Sequence, residues 1–502
     1  MNRWWRQGPR AACPGTGVRP GRSAAASAVL LPIALGIVGC ASTPSGGLEP
    51  LPAIPSGWTH ARDATTTVTT TAPDSGSAGD DRPAGRMPGP AGSWWLAVDD
   101  PQLHRLVEAA GDVASVRLAR ERLAEAEAAL RAASAALAPS VNGSVSASFN
   151  APGDGAVRQS TRSTAAVFGY DFDVSGAGRA RESATRALVE SRTEAVAAAR
   201  IAAREMAVRL YAAFAGAAER RQATLLSVRS LEDALGLAAA RTRAGLGTEL
   251  DVAQARAALA AARAQLPRLE AARDSVRLGL EALLGHLPGT LAPTLARLEA
   301  APTVDAMPLM RTPLQVVASR PDLRAAEHEL AAASATTAAA LRDRWPKLTL
   351  DVLIGVQSVR IAGPLAGDGL TSSLLAGLTG PLFDAGRLAA RADAARARER
   401  AAAIAYRQAA LEALGEVEDG LQRLAQAMAE DDQNAVAADA AAARVALARS
   451  RWRAGLVPFL DVVLAEQALH AANAERALSR SRMLESFARL SAAVGLGGEA
   501  GG

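Results

Sequence analysis

The stretch "RTRAGLGTELDVAQA" occupies residues 241–255, and "RWRAGLVPFLDVVLA" occupies residues 451–465. Across this spacing of 210, Arg, Arg, Ala, Gly, Leu, Leu, Asp, Val and Ala recur in the same order. Each copy reads as the end of one helix, a reversal, and the start of the next. Gly245 and Gly455 stand where a positive φ would end the outgoing helix. Thr248 and Asp251 have capping-box spacing, whereas Pro458 and Asp461 put a proline and an acid in the first turn of the other return helix. Arg241, Arg243, Arg451 and Arg453 close the outgoing helices, where cations suit the helix dipole.

The repetition extends well beyond these turns. At an offset of 207, Arg324 falls on Arg117 and Pro346 on Pro139; at 208, Gly386 and Arg387 fall on Gly178 and Arg179. Two units follow, 93–300 and 301–496, with a tail at 497–502. Each unit contains a helix, two short strands, a very long helix, a turn and a further helix. The long helices are expected at 179–243 and 387–453, stretches without proline and rich in alanine, leucine, glutamate and arginine. Each would reach ~100 Å at the α-helical rise, where an ordinary helix has only about 11–12 residues. A helix of that length needs a partner as long. In the first unit residues 113–137 and 251–284, stacked end to end, supply one in two pieces, and 459–493 is the return helix of the second. The fold class is mainly α with a small β part, in two structural repeats.

Between the helices the period changes to 2. Strands are expected at about 139–149, 163–174, 346–358 and 371–383. In the second of these, Phe168, Tyr170 and Phe172 alternate with Gly169, Asp171 and Asp173. Apolar residues facing one way and acids or small polar residues the other fit the wall of a membrane β-barrel, and also a small soluble sheet with one buried face.

The start of the chain bears on that choice. Residues 1–39 hold five arginines and no acid, and the run from Ala24 to Gly39 is apolar, which reads as a signal peptide. Ile37, Val38, Gly39 and Cys40 resemble a bacterial lipobox, whose cysteine is lipidated and becomes the mature N-terminus. Ala41 follows where an aspartate would signal inner-membrane retention, so the outer membrane is the expected address. Residues 40–92, rich in Thr, Ser, Gly and Pro, read as the lipidated N-terminus and a flexible linker. Strands in a bilayer leave no open edge, and bacterial barrels have roughly eight strands or more. Four per chain must therefore be pooled. A trimer giving twelve is the simplest cyclic answer after a dimer giving eight, and twelve leave a pore.

The formal charge is +4, but removing residues 1–39 leaves −1, so a nucleic-acid partner is not expected. His60, His104, His286, His328 and His470 are scattered, and no metalloprotease, P-loop or nucleophile-elbow pattern occurs. Neither an enzyme, nor a metal, nor a cofactor beyond a covalent lipid on Cys40 is expected.

The lipobox, the "SWWLAVDDPQL" start at 93–103, the two strand pairs, the "RAG" turns followed by "DV" and the doubled layout together resemble the TolC-like outer membrane factors. The closer likeness is to their lipoprotein (NodT-type) branch, which serves resistance-nodulation-division efflux pumps. The resemblance runs from 93 to about 496. It implies a homotrimer with a transmembrane β-barrel of twelve strands, four from each chain, and a long antiparallel α-helical barrel in the periplasm. It implies a passive exit duct for small molecules such as drugs or toxic compounds, meeting a periplasmic adaptor and an inner-membrane pump. Relatives narrow through acidic residues, which implies a periplasmic gate at Asp461 and Asp251. Leu464 stands where some members repeat the acid. The implied adaptor contacts are Arg243, Ala244, Gly245, Leu246, Arg453, Ala454, Gly455 and Leu456. "DFDVSGAGR" at 171–179 departs from the family's compact Asp, aromatic, Gly, Arg turn. The alternatives are a type I secretion duct for polypeptides, which the lipobox disfavours, and a pore-less lipid-anchored coiled-coil scaffold, which the doubling of the whole unit disfavours.

Overall fold

The computed structural model describes residues 54–60, 93–150, 159–298, 300–304, 308, 310–361 and 366–498, all within one unit, Pro50–Gly502. The expected signal peptide, Cys40 and most of the expected linker lie outside these residues. After a 3-10 turn (Trp94–Ala97) come α1 (Pro101–Ala109), α2 (Ala114–Ala135), β1 (Ser140–Asn150), β2 (Gln159–Asp171), α3 (Ala177–Arg243) and α4 (Glu249–Leu284). The short α5 (Ala292–Leu295) and α6 (Pro313–Ser319) lead to α7 (Pro321–Arg342), β3 (Lys347–Ile361), β4 (Ala366–Thr379), α8 (Arg387–Arg453) and α9 (Phe459–Ala493).

The long helices α3 and α8 have 67 residues each. The short helices flank them: α2 and α4 pack on α3, while α7 and α9 each pack on both α3 and α8. Alanine makes this close approach feasible, since buried positions of α3 include Ala180, Ala184, Ala187, Ala203 and Ala207. At Gly216 the approach is tighter still, because a Cβ there would stand 2.9 Å from the Cβ of Ser481 on α9.

The four strands form one antiparallel sheet in the order β1-β2-β3-β4. Chain connectivity puts the helices in matching order, because α2 enters β1, β2 leads to α3, α7 enters β3 and β4 leads into α8. Both layers therefore end at the same two places. One edge is β1 with α2 and α4; the other is β4 with α8.

The central core gathers where the short helices meet. Trp94, Trp95, Leu103 and Val107 pack with Tyr211 and Phe214 of α3, Leu421 and Leu424 of α8, and Leu484 and Phe487 of α9. Trp94 meets Phe487 edge to face at 5.7 Å, and the Arg204 guanidinium lies 4.7 Å from the Trp95 ring centre. Asp100 caps α1 by accepting from the Gln102 and Leu103 amides, and its other oxygen accepts from the Tyr211 hydroxyl. Burial, with the Asp100 charge beside it, pushes the Tyr211 phenol above its usual range.

Several boundaries differ from those expected. β2 begins at Gln159 rather than 163, and β3 continues to Ile361 rather than 358, because Gln159–Arg162, too polar to alternate, pair with Ser358–Ile361. β4 runs over 366–379 rather than 371–383; Pro381 has no N–H to donate, so the ladder stops before it. Phe172 lies one residue past the end of β2, its N–H still donating to the Leu348 carbonyl at 3.1 Å. α3 starts at Ala177 behind Gly176 at φ 71, and α4 starts at Glu249 behind its Thr248 cap, each two residues earlier than expected.

The unusual 171–179 segment does the same work as its shorter counterpart. Asp173 accepts from the amides of Gly178 and Arg179, and Asp384 from those of Gly386 and Leu388. Each carboxylate closes a strand-to-helix turn, and the first turn accommodates three extra residues.

Residues 54–60 correct the expectation of a flexible linker throughout 40–92. Ile54 packs against Val317, Leu323, Ala410 and Ala413, and Trp58 against the central core. Two bulky apolar residues in a polar stretch find cover on α6, α7 and α8. Gly216→Val is expected to destabilise the protein by about 1–3 kcal/mol through overpacking against Ser481. Denaturant unfolding of the detergent-solubilised protein checks this.

Candidate functional site

The two helical turns are the first part of the site. At the first, Gly245 takes φ 72, its N–H donates to Thr242 O at 3.0 Å, and Leu246 N–H donates to Arg241 O at 2.8 Å. At the second, Gly455 takes φ 73, its N–H donates to Trp452 O at 2.9 Å, and Leu456 N–H donates to Arg451 O at 3.0 Å. Both are Schellman closures. No atom lies within 4 Å of where a Cβ would stand on either glycine, so backbone conformation alone requires glycine there. Beside them Leu246 and Leu456 are 69% and 73% exposed, and Leu250, Leu460 and Leu464 are exposed too. Five bare leucines at one end of a helical layer form a surface that suits a partner.

The paired acids behave differently. Thr248 Oγ1 accepts from the Asp251 amide at 3.2 Å, and Asp251 Oδ2 accepts from the Thr248 amide at 3.0 Å, which completes a capping box. The Asp251 carboxylate is thus engaged in ending its own helix. Pro458 occupies the corresponding place in the second turn and has no N–H to offer. Asp461 is exposed, and its carboxylate has no hydrogen-bond partner among the described residues.

A brace joins the turns. Arg241 donates from Nη1 to the Arg453 carbonyl at 3.2 Å and from Nη2 to the Leu246 carbonyl at 3.4 Å, with its guanidinium 5.2 Å from the Trp452 ring centre. Trp452 is buried and meets Phe459 edge to face at 5.0 Å. Further along the helices, buried Glu466 accepts from Ser230 at 3.0 Å and pairs with Arg449, which ties α9 to α3 and α8. The turn motif alone does not reveal this brace. The signal was the contrast between copies, with Trp452 and Phe459 standing where the first copy has Thr242 and Glu249.

The sheet is the second part. Directly paired residues share a face, so the register puts Val141, Val145 and Phe149 with Phe168 and Tyr170, with Leu350, Val352 and Ile354, and with Leu370 and Leu374. The other face carries Asn142, Ser144, Ser146, Ser163, Thr349, Gln357, Thr371 and Ser373, interrupted by Val167, Leu353, Leu375 and, toward the end of β3, Val359 and Ile361. Tyr170 and Phe172 pack edge to face at 4.8 Å, which keeps Phe172 with the apolar face although it lies beyond the strand. On β3 the apolar face runs from Leu348 to Val356, nine residues, against about 9–11 for a tilted membrane-spanning strand. Arg162, Asp368 and Arg360 border it at the far end. No helix among the described residues is long and apolar enough to cross a membrane.

The sequence matches the model of the outer membrane efflux protein family over residues 106–286 and again over 313–496, once for each repeat. The chain belongs to this family. It is 30% identical over 494 residues to the pyoverdine export outer membrane protein OpmQ of Pseudomonas putida, covering 94% of this chain and 97% of that protein. It is 26% identical over 403 residues to nodulation protein T of Rhizobium leguminosarum bv. viciae, covering 80% and 83%. Among solved structures it resembles the outer-membrane channel OprN with a TM-score of 0.75 at 26% identity, covering 85% of this chain and 98% of that one. The protein is an outer membrane efflux channel of TolC-like fold, an exit duct reaching into the periplasm.

The two acids are expected to separate in stability measurements. Asp251→Ala should cost about 0.5–1.5 kcal/mol by removing the carboxylate's half of the capping box, while Asp461→Ala should stay within about 0.5 kcal/mol, as exposed substitutions usually do. Chemical denaturation of both variants checks this.

Proposed function

We propose that the chain works as a homotrimer that carries small molecules passively from a periplasmic pump assembly to the outside. The observation that carries this reading is the coincidence of open edges in the two layers. Among the described residues β1 pairs only with β2 and β4 only with β3, so two rows of backbone groups would face lipid unpaired. Each such group costs several kcal/mol in a bilayer. Joining β4 of one chain to β1 of the next closes a ring, and twelve strands leave a lumen. The same step brings α8 against the next chain's α2 and α4. Ile404, Leu411, Val436 and Leu447 of α8 are all exposed, and their spacings of 7, 25 and 11 are near-whole numbers of helical turns, which puts them on one stripe. That stripe is the surface the neighbour covers.

Cys40 carries the lipid in this reading. The turns around Gly245 and Gly455, with Arg243, Ala244, Leu246, Arg453, Ala454 and Leu456, are the contact for a periplasmic adaptor of a resistance-nodulation-division pump. Exposed leucines beside rigid glycine turns support that role. Asp461 forms the periplasmic gate: three unpartnered carboxylates around a narrow end repel one another and draw cations. Asp251 contributes mainly as a cap, because its carboxylate is already engaged. The names of the relatives, among them a pyoverdine export protein and a toluene efflux pump outer membrane protein, support a small-molecule cargo.

Single-channel recording in planar bilayers tests the duct, and a protein that inserts without conducting refutes it. Asp461→Ala is expected to raise conductance, whereas unchanged currents remove Asp461 from the gate. Gly455→Pro, or a bulky residue at Gly245, is expected to abolish drug resistance in cells while leaving trimer insertion intact. Wild-type resistance in both variants refutes the adaptor contact.

A further inference from the structure

We propose that the lumen-facing wall of each chain carries a binding site for an organic anion, seated among Arg209 of α3, Arg423 of α8, and Arg482 and Arg489 of α9. This rests on the reading of the chain as a trimeric duct. The four arginines line one cavity of 360 Å³ together with Glu430 and Glu485, within the usual size range of a small-molecule site. Helical rotation fixes the side of the layer on which they stand. Two residues along an α-helix turn a side chain by roughly 200°, onto nearly the opposite face. Arg209 is two residues from Tyr211, Arg423 two from Leu421, Arg482 two from Leu484, and Arg489 two from Phe487, and those four partners all belong to the central core. The core side is the one that α1, α5 and α6 cover, through Leu103, Leu295 and Val316. A ring of twelve helical columns, each about 10 Å across, encloses a passage of roughly 28 Å, which three copies of those extra elements would choke. The covered side is therefore outside, and the arginines face the lumen.

The charges are arranged to receive an anion. Arg209 pairs with Glu205 at 3.5 Å, Arg423 with Asp419 at 2.6 Å, and Arg482 with Glu430 at 3.6 Å. In each pair the arginine is the more exposed member, at 36%, 54% and 52% against 15%, 49% and 38%. A solute meets guanidinium groups first and carboxylates behind them. Ion pairs this open to water are weak, so an arriving acid group can take the place of the resident one. Arg489 is exposed and makes no hydrogen bond or ion pair among the described residues. Burial pushes the Glu205 and Glu485 carboxyls above their usual range, against the pull of the neighbouring arginines. That favours their neutral forms and tips the balance of the cavity toward positive. Pro321 opens α7 and Ala493 ends α9, and both border a second hollow of 600 Å³ that shares Arg489 with the first. Its lining includes Ala198, Ala202 and Ala492 beside the ion pairs of Arg320 with Asp322 and Glu416. An acid group held among the guanidiniums leaves its apolar body against these alanines. The fitting ligand is thus an organic acid with a carboxylate or sulfonate, which a planar guanidinium binds through two parallel hydrogen bonds.

Fluorescence anisotropy of pyranine, a trisulfonated pyrene dye, tests the site on the detergent-solubilised full-length protein at low salt. Saturable binding is expected, and the cationic dye proflavine is expected not to bind. Arg489→Gln is expected to weaken pyranine binding about tenfold, as loss of a hydrogen bond to a charged group does. Adding Arg482→Gln is expected to abolish it. Arg200→Gln, one turn from Arg204 on the covered side, is expected to leave it unchanged. Should the double variant fail to assemble, Arg489→Gln alone decides, because its side chain holds nothing in place. Native affinity in Arg489→Gln, loss of binding in Arg200→Gln, or an equal response with proflavine each overturns the site. Conductance of the same preparation in planar bilayers keeps the two readings apart: a protein that conducts but does not hold pyranine sinks the site alone, and one that does not conduct sinks the duct and the lumenal site with it.

Discussion

The unpaired edges of β1 and β4 are the constraint on which the rest of the architecture depends. Water can satisfy an open strand edge, but hydrocarbon cannot, and four strands are too few to close on themselves. The sheet order and the helix order run in parallel, so whatever closes the sheet also closes the helical layer. The exposed apolar stripe lies on α8, the helix that β4 leads into. One chain supplies a segment of wall, and the segment is unfinished at both ends in both layers.

Duplication supplies the wall, and divergence between the copies supplies the working parts. Both turns use the same glycine and the same two backbone hydrogen bonds. Replacing the cap threonine by Pro458 removes the amide that would engage the following acid, so Asp461 stays free where Asp251 is bound. Replacing Thr242 and Glu249 by Trp452 and Phe459 creates an aromatic platform on which Arg241 rests while it reaches the other turn. One turn is rigid by capping, the other by packing, and the arginine couples them.

The wall is thin and made largely of alanine, which has a consequence for where stability resides. Small side chains let α3 approach its neighbours closely but bury little apolar area each. The larger contributions concentrate where aromatic and leucine side chains gather around Trp94, Tyr211 and Phe487, and again beneath the turns around Trp452. The N-terminal segment supplies part of that central cluster. Residues 54–60 and the first turn therefore belong to the folded wall.

Much of this was legible in the sequence, because its signals are local. The 210-residue echo, the proline-free alanine-rich stretches and the alternation around Phe168 are written in neighbouring residues, and backbone geometry turns each directly into turn, helix or strand. The full extent of β2 was not legible, since Gln159–Arg162 are held by ladder hydrogen bonds that leave no mark on hydropathy. Nor was the docking of Trp58, the grip of Glu418 on Thr59 and His60, or the reach of Arg241 across the turns, each of which joins residues far apart in the chain. Sequence by itself determined the repeat, the element types and the family. Only tertiary structure decided which acid is free and which is bound, and that residues 54–60 are docked, because those outcomes depend on which backbone amide lies within reach of which side chain.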